Sequence, residues 1–269
     1  AWYRLFSQER FNYEAASQGL FKASLSDVSA DAVYVVAGDA TQTPRSSRKM
    51  EGAGWLRNPV TPAFRPGISV AQRWFNGSWL VPQENGYSRA IPIRWLPAFT
   101  EKSQPQTVEA RKEWQASAHF LSWLRQQLTA QGRAEQAILF VGDGHYDNLK
   151  LWPQLPPGVT LLARSAKNRV LHHLPDATMH GNRKYGARAA TPQQVWQTHK
   201  RWQDLALEVR GRTRHLQVCV RGVFVRKGAP DTPLFLIVVR GKKRKNKSGH
   251  VYRRQPLPFL VNAIRDDSG

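Results

Sequence analysis

Acidic side chains are the scarce class in this chain. Nineteen Asp and Glu face forty Lys and Arg, a formal net charge of +21 over 269 residues. That excess is larger than a solubility margin and calls for a polyanionic partner, nucleic acid first. Cysteine is almost absent: Cys219 stands alone between Val218 and Val220. A single thiol excludes an internal disulfide and a multi-cysteine zinc site, and it suits a reducing, cytoplasmic setting with Cys219 buried. Long apolar runs are missing too, as is a stand-alone basic amphipathic helix, which argues against a membrane partner. No secretory signal is visible, and both ends (Ala1 in place of Met, and a polar tail) read as cuts inside a longer protein. What is plentiful is apolar and aromatic, 41% and 10% of residues, enough for a globular core.

The chain is organised around one stretch, Val33-Tyr34-Val35-Val36-Ala37-Gly38-Asp39. Its β-branched residues predict a buried strand that ends at Asp39, with the carboxylate at its exposed C-terminal end. The run Ala137-Ile138-Leu139-Phe140-Val141-Gly142-Asp143-Gly144 repeats the pattern. Between them, residues 68–81 read as strand, with Asn76-Gly77 as a turn dipeptide, and 88–99 as another. Prolines 82, 92 and 97 place these runs at edges or irregular ends. Apolar residues at three- and four-residue spacing (Trp114, Ala118, Leu121, Leu124, Leu128) predict a helix over 107–132 that stops at Gly132. Residues 159–164 read as a further strand, 192–202 as a helix capped by Thr191, and 205–209, 216–225 and 234–239 as strands. The expected organisation is a helical lead-in at 1–30, a core at 31–165 and a basic insertion with β-strands at 166–269.

Positive charge concentrates late. Between Arg201 and Arg254 stand fifteen Lys or Arg and three acids. Such patches are electrostatic footprints of nucleic acid. The densest cluster holds Lys242, Lys243, Arg244, Lys245 and Lys247, with Arg253 and Arg254 just after it. Arg45, Arg48 and Lys49 form a second basic loop, read as lying beside Asp39, and Arg164 ends the strand after Asp143. All are candidate phosphate contacts.

Three antiparallel strands, a long helix and a parallel fourth strand open the ribonuclease H-like fold, an α/β mixed sheet with flanking helices. There the first and fourth strands are neighbours, so aspartates at their ends converge. Two such carboxylates repel unless a cation with oxygen ligands neutralises them, as Mg²⁺ does. A pair of these ions about 3.5–4 Å apart serves phosphodiester chemistry. Asp39 and Asp143 are therefore the candidate metal ligands and catalytic acids.

Four blocks, residues 35–41, 89–95, 140–148 and 259–263, resemble bacterial insertion-sequence transposases of the DDE superfamily, in the branch with a β-rich insertion between the second Asp and the final Glu. The resemblance covers most of the chain, and the paired Asp motifs are its most specific part. It implies Mg²⁺- or Mn²⁺-dependent cleavage and strand transfer on double-stranded DNA at transposon ends and target, by a homodimer on DNA, with Asp39 and Asp143 as the first two acids. The family's Glu lies on a later helix in a Tyr, Arg, Glu, Lys pattern that is not found here. Asp266 and Asp267 are poor substitutes, and neither Glu51 nor Glu208 sits on a helix placed to reach the pair. The expectation is an incomplete catalytic domain that binds DNA and cleaves it weakly alone.

Two alternatives stay open. A haloacid dehalogenase-like phosphatase would use Asp39 as nucleophile, but it needs a second acid two residues on, where Thr41 stands. A non-catalytic nucleic-acid-binding protein would use both aspartates only as turn formers. His172, His173 and His180 lack a ligand set and read as surface or phosphate-contacting groups. His145, Tyr146 and Asp147 either orient a phosphate or the metal's water shell, or simply cap a loop.

Overall fold

Asn12 opens the first described element: its side chain accepts from the Ala15 N–H and caps α1 (Tyr13–Ser24). The computed structural model describes residues 12–47, 49–58, 61–62, 64–65, 67–83, 89–99, 112–175, 184–209 and 211–262. The chain forms two units: one carries the elements up to Ala137, the other those from Ile138 on.

In the first unit the Val33–Asp39 run forms β1 (Tyr34–Pro44), with Tyr34, Val36 and Gly38 buried in alternation. β1 lies antiparallel to β3 (Ile68–Val81), which also pairs with β2 (Gly54–Arg57) and with β4 (Arg89–Pro97). Among the described residues the proline-bearing β4 pairs with β3 alone, at an edge, as its composition predicts. Two expectations change here. β1 does not end at Asp39. It runs five residues further, because alternating Thr41 and Thr43 keep it paired with Trp74 and Gln72. Nor is Asn76-Gly77 a turn: it lies in the middle of an unbroken 14-residue strand. A side chain at Gly77 would collide with the Phe120 ring, so this glycine admits a helix to the sheet surface instead of reversing the chain.

That helix is α2 (Glu113–Ala130), inside the predicted 107–132. The predicted first turn lies outside the described residues. Phe120, Leu121, Leu124 and Leu128 are fully buried, each such side chain stabilising by about 2–3 kcal/mol. Trp123 stacks on Phe120, and its Nε1 donates to Glu14 of α1. Arg94, from the block 89–95, is buried against the Trp123 ring face at 4.4 Å and ion-paired with Glu14 at 2.7 Å. Burial alone would raise the Glu14 carboxyl, but the Trp123 and Arg94 donors hold it below its usual value. Arg94 is thus a core strut between α1 and β4. Tyr34, fully buried, shares a hydrogen bond with Ser24, and burial pushes its hydroxyl up to about 12.

In the second unit β5 (Ile138–Gly142) runs parallel to β6 (Val159–Arg164). β6 pairs antiparallel with β13 (Leu257–Asn262), which pairs with β10 (Ala229–Val239), and β10 with β9 (Thr213–Arg226). Short β7 (His172–His173) and β8 (Gln203–Glu208) flank β9. The Asn262 side chain bridges β13 to β6, accepting from Leu161 N and donating to Val159 O. Helix α3 (Pro192–Thr198) has the predicted Thr191 cap, closed reciprocally by Gln194, but it stops four residues short of Trp202. The His199 carbonyl instead accepts from the Trp202 indole, over which Arg240 lies. β11 (Lys243–Lys245) and β12 (Val251–Arg253) make a separate two-stranded sheet. Cys219 is buried, as expected. A parallel pair among antiparallel strands, with flanking helices, is the ribonuclease H-like α/β class read from the sequence. Among the described residues no helix is long and apolar enough to cross a membrane.

Candidate functional site

Asp39 is the sixth residue of β1, opposite Asn76 of β3, and its side chain is exposed. One carboxylate oxygen accepts from the Ala40 N–H at 2.8 Å. Asp143 follows the last residue of β5 and is also exposed, at 57% of its side chain. Its Oδ1 accepts from the His145 N–H at 2.8 Å, and His145 Nδ1 stands 3.5 Å from Oδ2. In each aspartate one backbone donor orients the carboxylate, leaving a charged, water-facing group of the kind that takes hard cations. Asp39 belongs to the first unit and Asp143 to the second. Among the described residues no three His, Cys, Asp or Glu side chains gather as a ready metal cluster.

The loop after Asp143 is fixed more firmly than its exposure suggests. Tyr146 is fully buried and packs edge-on against Phe140 of β5 at 5.3 Å. It fits because residue 142 is glycine: a Cβ there would lie 2.5 Å from the Tyr146 ring. Asp147, a candidate phosphate or water-shell contact from sequence, has a side chain with no exposure at all. Arg226 at the end of β9 pairs with Oδ1 at 2.6 Å, Arg169 with Oδ2 at 2.6 Å, and Ser165 Oγ donates to Oδ2 at 2.7 Å. Burial draws the Arg226 guanidinium below its usual value, against the opposing pull of Asp147. Asp147 is therefore a buried anchor that ties the Asp143 loop to β9 and to the turn after β6. Sequence reasoning missed this clamp, because residues 147 and 226 have no pattern in common.

Because β5 and β6 are parallel with Gly142 beside Ala163, Asp143 and Arg164 stand at the C-terminal ends of adjacent strands. That end of an α/β sheet is where ligands bind. Arg164 is exposed and lines a cleft of about 420 Å³ with Lys167, Asn168 and Gln255. Lys167 Nζ donates to the Gln255 side chain at 2.9 Å.

The remaining basic candidates divide. Arg45 is half-buried, its Nε bound to Gln72 at 2.9 Å, and Lys49 is exposed. Arg48 lies outside the described residues. This loop does not adjoin Asp39: with the strand continuing to Pro44, it lies roughly 20 Å along the chain direction. Lys242, Lys243, Arg244, Lys245, Lys247 and Arg254 are all exposed, and Arg253 is half-exposed. Of the suggested third acids, Glu208 is exposed on β8 and bonded to Thr213. His180, Asp266 and Asp267 lie outside the described residues. His172 is largely buried against Tyr185, a packed position.

Comparison with curated proteins and with solved structures gives no match. The family described as DDE superfamily endonuclease matches residues 1–221, a span that includes Asp39, Asp143, Asp147 and Arg169 and ends before Arg226. That match sets the phosphatase alternative aside. The chain belongs to the DDE superfamily of endonucleases.

Proposed function

We propose that this chain is the catalytic region of a transposase, that Asp39 and Asp143 are two acids of one metal-dependent centre, and that it acts on double-stranded DNA at transposon ends. Family membership supports a nuclease acting on DNA. The observation that carries the finer reading is the pair of exposed aspartates, each oriented by a single backbone N–H and each inside the family match. Their donor chemistry, hard carboxylate oxygen without cysteine, fits Mg²⁺ or Mn²⁺. Bound there, such an ion would neutralise charge at a phosphodiester and lower the pKa of an attacking water or hydroxyl.

The chain's own residues supply the rest. His145 fixes the Asp143 carboxylate through its N–H. Asp147, Arg169 and Arg226 hold the loop that presents it. Arg164 and Lys167 offer positive charge at the same strand ends for the DNA backbone, and the basic residues 242–254 extend that surface. A homodimer on DNA belongs to this proposal as well.

Calorimetry with Mn²⁺ and duplex DNA tests the metal centre. Wild type is expected to give a saturable Mn²⁺ heat that both Asp39→Ala and Asp143→Ala abolish. A heat unchanged by both substitutions sinks the centre and leaves a DNA-binding protein.

A further inference from the structure

The second unit carries an element that no packing requirement explains. Beyond the paired β10 and β13 the ladder breaks at residues 240–241 and 255–256, and the same register then resumes. Val239 faces Leu257, Arg254 N donates to Lys242 O at 3.0 Å, Lys243 faces Arg253 and Lys245 faces Val251. The β11–β12 ribbon is thus a separate arm inserted between β10 and β13, roughly 20 Å long from Arg240 to Asn246 when extended. Its strands are exposed on both faces, Arg253 alone being half-exposed. Two strands with no buried face are marginal in water. The tip is nevertheless well built: Asn246 Oδ1 accepts from His250 N and Ser248 Oγ, both at 2.8 Å, and Asn246 N donates to His250 O.

Charge makes the arm less stable still. Residues 240–254 contain eight Lys or Arg and no acid, and no acid occurs between Asp231 and Asp266. Cross-strand partners share a face, so Lys243 and Arg253 stand directly opposite one another, a like-charge pair that costs stability. Lys245 joins them on that face, Arg244 and Tyr252 occupy the other, and Lys247 sits at the tip. An element built at the expense of stability, with cations on both faces, suits a cleft with anions on both walls.

We infer that the β11–β12 arm lies in the major groove of duplex DNA, with phosphates of both strands meeting its two faces. This rests on reading the chain as a DNA-acting enzyme and adds where and how the duplex is held. The B-form major groove, about 12 Å wide, admits a two-stranded ribbon. The A-form groove of duplex RNA is too narrow. Lysine-rich contacts to phosphate position the duplex and carry little sequence information.

The test is a salt titration of binding by fluorescence anisotropy, comparing wild type with the triple variant Arg244→Ala, Lys245→Ala, Lys247→Ala. All three residues are exposed, and the thermal midpoint checks that the variant is folded. On duplex DNA the log K–log salt slope should become shallower by about 2–3, with at least a tenfold loss of affinity that is uniform across DNA sequences. Binding to duplex RNA should change little. Methyl green, a major-groove ligand, should compete with wild type, and netropsin, a minor-groove ligand, should not. An unchanged slope overturns the arm's role. Equal loss on duplex RNA, or competition by netropsin in place of methyl green, overturns the groove assignment. The metal centre stands or falls separately: Mn²⁺ heat lost in the aspartate variants with an unchanged slope sinks the arm alone, and an arm-dependent slope without any Mn²⁺ site sinks the centre alone.

Discussion

Asp143 and Asp147 are four residues apart and behave as opposites. One is exposed and oriented by a backbone N–H; the other has no exposure and is ion-paired with two arginines. Removing the charge of a buried, paired carboxylate strands its partners, at a cost of about 3–5 kcal/mol. Asp147→Asn should therefore lower the thermal midpoint by about 10 °C, whereas Asp143→Asn should stay within about 0.5 kcal/mol of wild type. Differential scanning calorimetry of the two variants checks this, and a midpoint for Asp147→Asn within two degrees of wild type, a margin of about 1 kcal/mol, would remove the clamp from the account. The sequence marks both residues as acids in a turn-rich stretch. Which one faces water depends on Arg226, seventy-nine residues away, and nothing local encodes that.

At the scale of elements, periodicity served well where one neighbour decides burial. The spacing of Leu121, Leu124 and Leu128 gave a helix, and the β-branched runs at 138–142 and 159–164 gave strands. It failed where a neighbour overrides a local preference. Asn-Gly is a strong hairpin signal in isolation, yet β3 continues through residues 76 and 77, with only a register shift against β4 after Gly77, and Phe120 of α2 takes the space that Gly77 leaves. Gly77→Ala should destabilise the fold by about 1–3 kcal/mol through overpacking. Combined with Phe120→Leu, the loss should be smaller than the sum of the two single losses, because the pair shares one contact. Denaturant titration of the four proteins decides it, and strictly additive losses would contradict the steric reading.

For the whole molecule, the +21 charge sets an expectation independent of any one residue. A protein that neutralises six to ten phosphates loses about 10³–10⁵ in affinity between 50 and 200 mM salt. Duplex binding by this chain should fall within that range in an anisotropy titration. A slope shallower than about −3 would mean fewer than about four phosphates are engaged and would defeat the reading of its surface as a DNA footprint. Charge was legible from composition alone, because it is a sum over residues and does not depend on where they lie. Its arrangement was not: the densest run, Lys242 to Lys247, became an arm only because the register of β10 and β13 resumes between β11 and β12.

The sequence by itself determined the α/β class, the strand that holds Asp39, the strand that Asp143 follows, and a large positive net charge. These follow from local alternation, β-branching and simple charge balance, which act within a few residues or over the whole sum. Only the tertiary structure decided that β1 continues past Asp39 and that Asn76-Gly77 lies within a strand. The same holds for Arg94 and Asp147 as buried struts and for the basic run as a projecting ribbon. Each of those outcomes is fixed by a partner distant in the chain, through register, steric fit or a buried ion pair, and such partners leave no trace in the spacing of their own neighbours.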